Sequence, residues 1–178
     1  MLFAERFLGV GGLLTMSLST ASPLNVVILG CGRVGSTLAK QLSQEGHHVT
    51  VIDITSDAFR RLGTKFKGQR VVGTGLDRDT LEKAGLSKAD VFIAVTQGDN
   101  TNIMAAQVAK KVFSIPRVHA RIYDPIRSQA YREMGIITLC TTTIAAGVLH
   151  AAVLQTEESG AWQERLEAWD VEYPAQLG

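Results

Sequence analysis

The chain has 178 residues, of which 46% are hydrophobic and 20% charged, and its formal net charge is +1. This composition is typical of one globular α/β domain with a sizeable core. A net charge so near zero gives no general attraction to nucleic acid, so we expect no nucleic-acid partner. The two cysteines and four histidines show neither a disulfide framework nor the spacing of metal ligands, so we expect no metal site.

Residues 1–23 differ in character from the rest of the chain. Phe7–Leu18 is apolar and glycine-rich, as in a secretory signal, but Glu5 cancels the charge of Arg6, so the positive start of such a signal is missing. The run is also short for a membrane span. We expect an N-terminal extension or a short docking helix, with Met16 as a second start, and a secretory signal is the alternative.

From Leu24 onward, strand-like and helix-like segments alternate with short connections. Near-continuous apolar runs predict the strands of a parallel sheet covered on both faces: Asn25–Leu29, His48–Ile52, Arg70–Val72, Val91–Val95, Arg117–Ile122 and Ile136–Leu139. The segments between them predict helices at Val34–Glu45, Asp57–Phe66, Asp79–Ala84, Thr101–Val112, Pro125–Glu133 and Thr142–Thr156. The alternation predicts a Rossmann-like, doubly wound α/β fold with strand order 3-2-1-4-5-6 at residues 24–141. Residues 142–178 form a C-terminal helical extension and an acidic tail in this prediction.

The most informative segment joins the first strand to the first helix. An apolar run leads into the glycine fingerprint Gly30-Cys31-Gly32-Arg33-Val34-Gly35, which has the pattern Gly-x-Gly-x-x-Gly. Gly30 permits the tight turn, Gly32 lets the backbone approach a pyrophosphate, and Gly35 lets the helix pack close to the strand. The helix N-terminus offers N–H groups and a positive dipole end to phosphates. The alternative is that these glycines serve only a tight turn.

Asp53 ends the second predicted strand, where an acid accepts hydrogen bonds from a ribose. Its negative charge disfavours the 2′-phosphate of NADP, and no arginine follows it directly. The carboxylate does not separate NAD(H) from ATP or ADP, so both classes remain candidates for the cofactor.

Small and polar residues lie at the carboxyl ends of the other predicted strands. They include Gly73 and Thr74, then Thr96 and Asp99, and finally Arg121. Because the carboxyl ends of parallel strands share one edge of the sheet, these residues are candidates for ligand contact. For Gly73 the alternative is a plain turn, and for Thr96 and Asp99 capping of the next helix is an equal alternative.

The last predicted helix carries an apolar stripe at helical spacing, formed by Ile144, Val148, Leu149, Ala152 and Val153. Two interpretations have equal weight. The stripe packs against the sheet as core, or the helix leaves the domain and packs on a partner subunit. The residues that follow are acidic, with Arg165 as the one basic residue against Glu157, Glu158, Glu164, Glu167, Asp170 and Glu172.

The chain from Leu24 to about Leu149 resembles the nucleotide-binding N-terminal half of a regulator-of-potassium-conductance (RCK) domain of the TrkA/KtrA type. The matching segments are Val27–Gly35, Val51–Asp53, Gly73 with Asp77, Leu81–Leu86, Ala89-Asp90, Ala94–Thr96, Asp99 with Asn102, Ala109–Lys111 and Ala120-Arg121. The run from Leu81 to Thr96 discriminates best, because generic dehydrogenases do not usually carry it.

The resemblance implies roles for particular residues. The three fingerprint glycines would bind phosphates, Asp53 the adenosine ribose, and Gly73 and Thr74 would lie near the adenine. Arg33 matches an arginine that reaches the terminal phosphate in ATP-binding relatives, sometimes that of a neighbouring subunit; from the residues alone it can also be a solvated charge. The candidate contacts are Gly30, Gly32, Arg33, Val34, Gly35, Asp53, Ile54, Gly73, Thr74, Thr96 and Arg121.

The chain departs from this family at three places. Thr74 stands where relatives usually have Asp, which weakens the implied ribose or adenine contact there. Cys140–Thr143 occupies the region in which ATP-type members carry a metal-coordinating Glu, so we expect no divalent cation bound in that way. The C-terminal ligand-binding subdomain of the family is expected to be absent, or present only as a start at Val171–Pro174.

The resemblance implies a non-enzymatic regulatory subunit that binds NAD(H) or ATP/ADP and gates a membrane potassium transporter or channel. Such a subunit would be cytoplasmic and peripheral on the inner face of the cell membrane, and would form a homo-oligomer, a dimer or a ring. The alternatives are an NAD-dependent oxidoreductase and a stand-alone nucleotide sensor. An oxidoreductase would need an acid/base and a substrate domain, but His119 lies within a strand, Tyr123 stands alone and no substrate-sized domain follows Thr156. A thiolate at Cys31 would be repelled by a pyrophosphate, so we expect no catalytic residue.

Overall fold

The computed structural model describes residues 22–154 of the chain. Its sheet has six strands, namely β1 (Asn25–Leu29), β2 (His48–Asp53), β3 (Gln69–Val72), β4 (Val91–Ala94), β5 (Arg117–Arg121) and β6 (Ile137–Leu139). Every neighbouring pair is parallel, and the order is β3-β2-β1-β4-β5-β6. The predicted Rossmann-like, doubly wound fold with strand order 3-2-1-4-5-6 is confirmed.

Within residues 22–154, five α-helices connect or follow the strands: α1 (Arg33–Gln44), α2 (Arg78–Lys83), α3 (Asp99–Lys111), α4 (Pro125–Glu133) and α5 (Thr141–Leu154). They agree with the predicted helices to within two residues at each end that the structure describes. Residues 155–156, which the prediction added to α5, and the acidic tail lie outside the described residues, as do residues 1–21.

One predicted helix differs from the observed one in length and is not an α-helix. The segment expected as a helix at Asp57–Phe66 is a 3₁₀ helix at Ser56–Leu62. Gly63 ends it with a φ of 67°, a left-handed conformation that glycine adopts without steric cost. The chain then turns, and the buried side chain of Phe66 packs into the core as part of a loop. A second, short 3₁₀ helix covers Leu86–Lys88.

The core has two layers because successive side chains of a strand point to opposite faces of the sheet. Val27 and Leu29 of β1 join a cluster with α2 and α3. Val26 and Ile28 join the other cluster, with α1 and the 3₁₀ helix Ser56–Leu62. Both faces of β1 are therefore covered by core side chains. This packing holds the strand, and with it the fingerprint turn at its carboxyl end.

The sheet is not covered everywhere on the α1 side. On β5, Val118 and Ala120 belong to the α2/α3 cluster, so His119 and Arg121 face the other side. The strand register places His119 beside Ile137 and Arg121 beside Leu139. Ile137 and Leu139 are 51% and 47% exposed, so this face of β6 is apolar and uncovered in the described single chain.

The apolar stripe on α5 is also uncovered. Ile144, Leu149 and Val153 are 49%, 65% and 78% exposed. In the described single chain the interpretation of this stripe as core is therefore wrong, and the helix presents it to its surroundings. None of the described helices combines the length and the apolar character that crossing a membrane requires.

Candidate nucleotide-binding site

The predicted site residues come together at one edge of the sheet. Gly73, Asp53, Gly30, Thr96 and Arg121 lie at or just after the ends of β3, β2, β1, β4 and β5, which is also their order across the edge. Neighbouring strands are about 4.8 Å apart, so the edge from β2 to β5 spans about 14 Å. The strand order reverses at β1, where a doubly wound sheet opens a crevice for a ligand.

Gly30 and Gly35 are required by the turn itself. Gly30 has a φ of 104°, and its N–H donates to the carbonyl of Ile52 at 2.7 Å. A Cβ on Gly35 would lie 1.9 Å from the carbonyl oxygen of Gly30, a distance no structure tolerates. The two glycines therefore bring the start of α1 against the end of β1, as the sequence predicted.

Gly32 is different, because the fold places nothing against it. A Cβ built on Gly32 would meet no atom within 4 Å, so its surroundings in the described chain are open. Gly32 is the N-cap of α1, with no side-chain capping bond and no acidic residue in the first turn. The N–H groups and the positive dipole end of α1 are thus available to an anion, the arrangement that suits a phosphate.

The Asp53 carboxylate is already tied to the fingerprint. Its Oδ2 accepts a hydrogen bond from the N–H of Cys31 at 2.7 Å. Its Oδ1 accepts from the N–H and the hydroxyl of Thr55, at 3.0 and 2.9 Å. A carboxylate offers about four acceptor positions, so about one remains for a ribose hydroxyl.

The residues on the adenosine side have mixed roles. Gly73 donates its N–H to the carbonyl of Asp53 at 2.9 Å, and a Cβ on it would lie 2.5 Å from the Thr80 side chain. Packing against Thr80 alone therefore explains this glycine. Thr74 accepts a hydrogen bond from the N–H of Leu76 within a local turn, at 3.3 Å. Ile54 is an exposed apolar side chain directly after Asp53 and is free to contact a flat ring.

Two fingerprint side chains, Arg33 and Val34, lie at the surface on the first turn of α1. Val34 is 43% exposed, and no ion pair of the Arg33 guanidinium occurs among the described residues. A cation at a helix N-terminus opposes the dipole. An anion bound at the same turn would compensate for this unfavourable interaction between Arg33 and the helix dipole.

The far half of the edge is organised by a buried asparagine. Asn102 has no exposed surface, and its Oδ1 accepts from the N–H and the hydroxyl of Thr96 at 2.9 and 2.7 Å. Its Nδ2 donates to the carbonyls of Thr96 and Arg121 at 3.0 and 2.9 Å. Asn102 therefore locks the ends of β4 and β5 together and holds Thr96 in place.

Asn102 was missed as a positioning residue by the sequence reasoning. The available signal was its place on the α3 stripe that also carries Ala105, Ala106 and Ala109, a spacing that indicates a buried face. The capping role considered for Asp99 and Thr96 is wrong. Gly98 is the N-cap of α3, and the Asp99 carboxylate instead accepts from the N–H of Tyr123 at 2.9 Å.

Arg121 is a buried cation without an acidic partner. Its side chain is 9% exposed, its Nη2 donates to the carbonyl of Thr96 at 2.7 Å, and its Nε has no hydrogen-bond partner. The guanidinium lies over the Tyr123 ring at 4.7 Å from the centroid. Among the described residues no carboxylate pairs with it. A buried charge is costly unless it is paired, so this position favours an anionic group.

The remaining candidate groups, the Cys31 thiol and the described metal-ligating side chains, show no reactive arrangement. Burial raises the pKa of the Cys31 thiol to about 11, and the Asp53 carboxylate shifts it in the same direction. The thiol is therefore neutral at physiological pH, and its Sγ–H donates to the carbonyl of Ala58. Within residues 22–154, no group of three or more His, Cys, Asp or Glu side chains is arranged to hold a metal ion.

The sequence of this chain is similar to that of a known potassium uptake protein. Over 141 residues the chain is 47% identical to the Trk system potassium uptake protein TrkA of Streptomyces coelicolor, a match that covers 79% of this chain and 63% of that protein. The chain thus spans less than two thirds of the length of this relative.

Solved structures show the same fold at low sequence identity. The Shewanella denitrificans Kef C-terminal domain in its AMP-bound form is 20% identical with a TM-score of 0.64, covering 86% of this chain and 95% of that one. The GsuK channel bound to NAD is 21% identical with a TM-score of 0.66, covering 78% of this chain and 25% of that one. The family model described as the TrkA-N domain matches residues 26–142. By this match the chain belongs to the TrkA-N domain family, and the expected resemblance to the TrkA type is confirmed.

Proposed function

We propose that this chain is a cytoplasmic regulatory subunit of a potassium transport system, peripheral on the inner face of the cell membrane. In this proposal it binds NAD(H) or ATP/ADP and gates a membrane potassium transporter or channel. Its relative from Streptomyces is named as a potassium uptake protein. The shared family supports a regulatory role, and the transport partner is part of the proposal.

One observation carries the nucleotide part of the proposal. Asp53, the open Gly32 turn and Arg121 follow one another along a single edge of the sheet. The adenosine would lie beside Asp53 and Ile54, and the phosphates at the N-terminus of α1. The ligands bound by the Kef domain and by the GsuK channel, AMP and NAD, share the adenosine 5′-phosphate unit that this half of the edge suits.

Arg121 would contact the part of the ligand that is farthest from Asp53. The strand order puts it on the opposite side of the fingerprint from Asp53. A ligand that starts at Asp53 would therefore bring its far end to Thr96 and Arg121. An unpaired buried guanidinium attracts a terminal phosphate and repels the cationic ring of oxidised nicotinamide. We therefore favour ADP or ATP over NAD⁺, and NADH over NAD⁺.

Regulation requires an assembly, because a ligand shifts a conformation only through different affinities for two arrangements. Two uncovered apolar surfaces supply the means: the α5 stripe and the β6 face formed by Ile137 and Leu139. Closed two-fold symmetry is the commonest way to bury such surfaces. We propose a homo-dimer, alone or repeated within a ring, in which these surfaces are covered.

Measurement of potassium uptake tests the function. Cells lacking the gene are complemented with the wild-type chain or with the Gly32→Val variant, and rubidium uptake is followed under limiting potassium. The proposal predicts altered uptake on deletion, restoration by wild type and no restoration by Gly32→Val at equal protein level. Normal uptake in the deletion strain would contradict the transport role and favour a stand-alone sensor.

The oxidoreductase alternative is tested separately. Burial, with a smaller effect of Arg117, lowers the pKa of His119, so this half-buried side chain is mostly neutral at pH 7. Steady NADH consumption by purified protein with candidate carbonyl substrates, abolished by Gly32→Val, would support the oxidoreductase and contradict a purely regulatory subunit.

A further inference from the structure

A second cleft lies away from the nucleotide edge. It has a volume of about 360 Å³ and opens between α1 and the loop that precedes β3, with Lys40, Ser43 and Gln44 on one wall and residues 62–67 on the other. It contains no residue of the fingerprint.

The two sites lie at opposite ends of α1. The helix begins at Arg33 beside the fingerprint, and Lys40 to Gln44 form its second half. A helix rises 1.5 Å per residue, so the cleft wall lies about 10 to 16 Å along the axis from the phosphate end. A ligand in the cleft is therefore not the nucleotide phosphate chain.

The cleft is the centre of a basic surface. Lys40, Lys65 and Lys67 line it, and no carboxylate does. From Ala58 to Leu76 the chain has five basic residues and no acidic one, although its net charge is only +1. Arg60 in this stretch pairs with Asp57 at 3.3 Å. A concave surface lined by charges of one sign concentrates the field and attracts an ion of opposite sign.

The loop wall is held in place by Arg70 and by the backbone at Gly68, neither of which lines the cleft. Arg70 donates from its Nη2 to the carbonyls of Gly63 and Phe66, at 3.4 and 3.2 Å, and lies over the Phe66 ring at 5.1 Å. Gly68 runs so close to β2 that a Cβ on it would lie 2.2 Å from the carbonyl oxygen of Val49. The lysines thus project from a fixed frame, which lowers the entropy cost of binding.

We propose that this cleft binds a multivalent anion that carries phosphate groups. Lysine ammonium groups bind phosphate as point charges from several directions, without the planar geometry that arginine imposes. The C-terminal half of α1 contributes at most about half a negative charge, which the ammonium groups of Lys40 and Lys67 outweigh. The same chemistry fits a soluble polyphosphate and the headgroup of an anionic lipid.

The test is a titration of the ¹⁵N-labelled chain with inorganic pyrophosphate, followed by amide chemical shifts. The shifts at residues 63–68 should saturate, and the Lys40→Gln/Lys67→Gln variant should weaken this binding at least about fivefold. The matched control is Lys88→Gln/Lys111→Gln, which removes the same charge from exposed positions outside the cleft and should bind as the wild type does. Thermal melting verifies that both variants are folded.

Vesicle sedimentation, compared with pyrophosphate binding, identifies whether the phosphate belongs to a lipid or to a soluble ion. If it is a lipid headgroup, the wild-type chain should sediment with phosphatidylcholine vesicles containing phosphatidylglycerol, and the cleft variant should not. If the source is soluble, pyrophosphate binds and the wild-type chain does not sediment with these vesicles. Shifts confined to residues 30–35, equal affinity of the two double variants, or binding of single-stranded RNA without pyrophosphate would each overturn the proposal.

Discussion

The carboxylate of Asp53 accepts a 2.7 Å hydrogen bond from the N–H of Cys31, which joins the end of β2 to the turn after β1. The acid expected to hold a ribose thus also shapes the turn expected to hold the phosphates. The ribose half and the phosphate half of the nucleotide site are therefore coupled. A substitution of Asp53 should alter the conformation of the turn as well as the contact with the ribose.

Replacement of Asp53 tests its part in binding. Asp53→Ala should weaken adenine nucleotide binding by roughly 1.5–3 kcal/mol, the range for hydrogen bonds to a charged group, or about 10- to 150-fold in Kd. Calorimetry on the purified chain measures the change. Asp57→Ala is the control, because Asp57 is exposed and pairs only with Arg60 at the surface.

Asp53→Asn separates the two roles of this side chain. The amide keeps one oxygen that can accept from Cys31, so the turn and the melting temperature should be better preserved than in Asp53→Ala. Nucleotide affinity should still fall. Wild-type affinity in both variants would remove Asp53 from the site.

Gly32 and Gly35 should respond in opposite ways. Gly32→Val places a side chain in open space, so circular dichroism and the melting temperature without ligand should stay close to wild type, while stabilisation by ligand should be lost. Gly35→Ala forces a Cβ to 1.9 Å from the Gly30 carbonyl oxygen and should lower the melting temperature itself. Undiminished ligand stabilisation of Gly32→Val would mean that the fingerprint is a structural turn only.

Arg121 should select among nucleotides. Arg121→Gln removes a charge expected to meet a terminal phosphate, so ADP or ATP affinity should fall roughly tenfold, the equivalent of about 1.4 kcal/mol, with little loss for NAD⁺. The unliganded variant should be as stable as wild type or more so, because a buried cation without an acidic partner is removed. Arg117→Gln, at the exposed start of β5, is the control. Equal losses for all nucleotides would assign Arg121 a structural role.

Assembly should depend on the uncovered apolar surfaces. Light scattering should show a mass at least twice that of the monomer, and Val148→Asp/Leu149→Asp should yield a folded monomer, since these side chains are not needed by the described core. Val112→Asp alters an apolar side chain that is 59% exposed after α3 and should leave the mass unchanged. A monomeric wild-type chain, with and without nucleotide, would count against gating through an assembly.

Local patterns in the sequence were enough to predict the sheet and the fingerprint. The apolar run 26–29, followed directly by glycines, indicates a strand buried on both faces. The spacing of Gly30 and Gly35 indicates a contact between β1 and α1, which are close in sequence. The strand order followed because parallel connections are almost always right-handed.

Interactions between distant residues account for the errors. The hydrogen bond that the Tyr123 N–H donates to the Asp99 carboxylate joins the start of α3 to the loop after β5, 24 residues apart, and no local pattern in the sequence predicts it. The 3₁₀ helix ended early at Gly63, and Phe66 beyond it packs into the core against residues of β1 and β2. The exposure of α5 could not be decided from its stripe, since an apolar face on a helix looks the same whether the sheet or another chain covers it.

Competitive calorimetry with NAD⁺, NADH, ATP and ADP is the most direct measurement of whether the edge formed by Asp53, Gly32 and Arg121 is a nucleotide site. We expect saturable binding of one adenine nucleotide per chain, displacement of each ligand by the others, NAD⁺ as the weakest of the four, and no heat of binding with Gly32→Val. An absence of binding for all four ligands by the folded wild-type chain, or binding that Gly32→Val and Asp53→Ala leave unchanged, would contradict a nucleotide site at this edge.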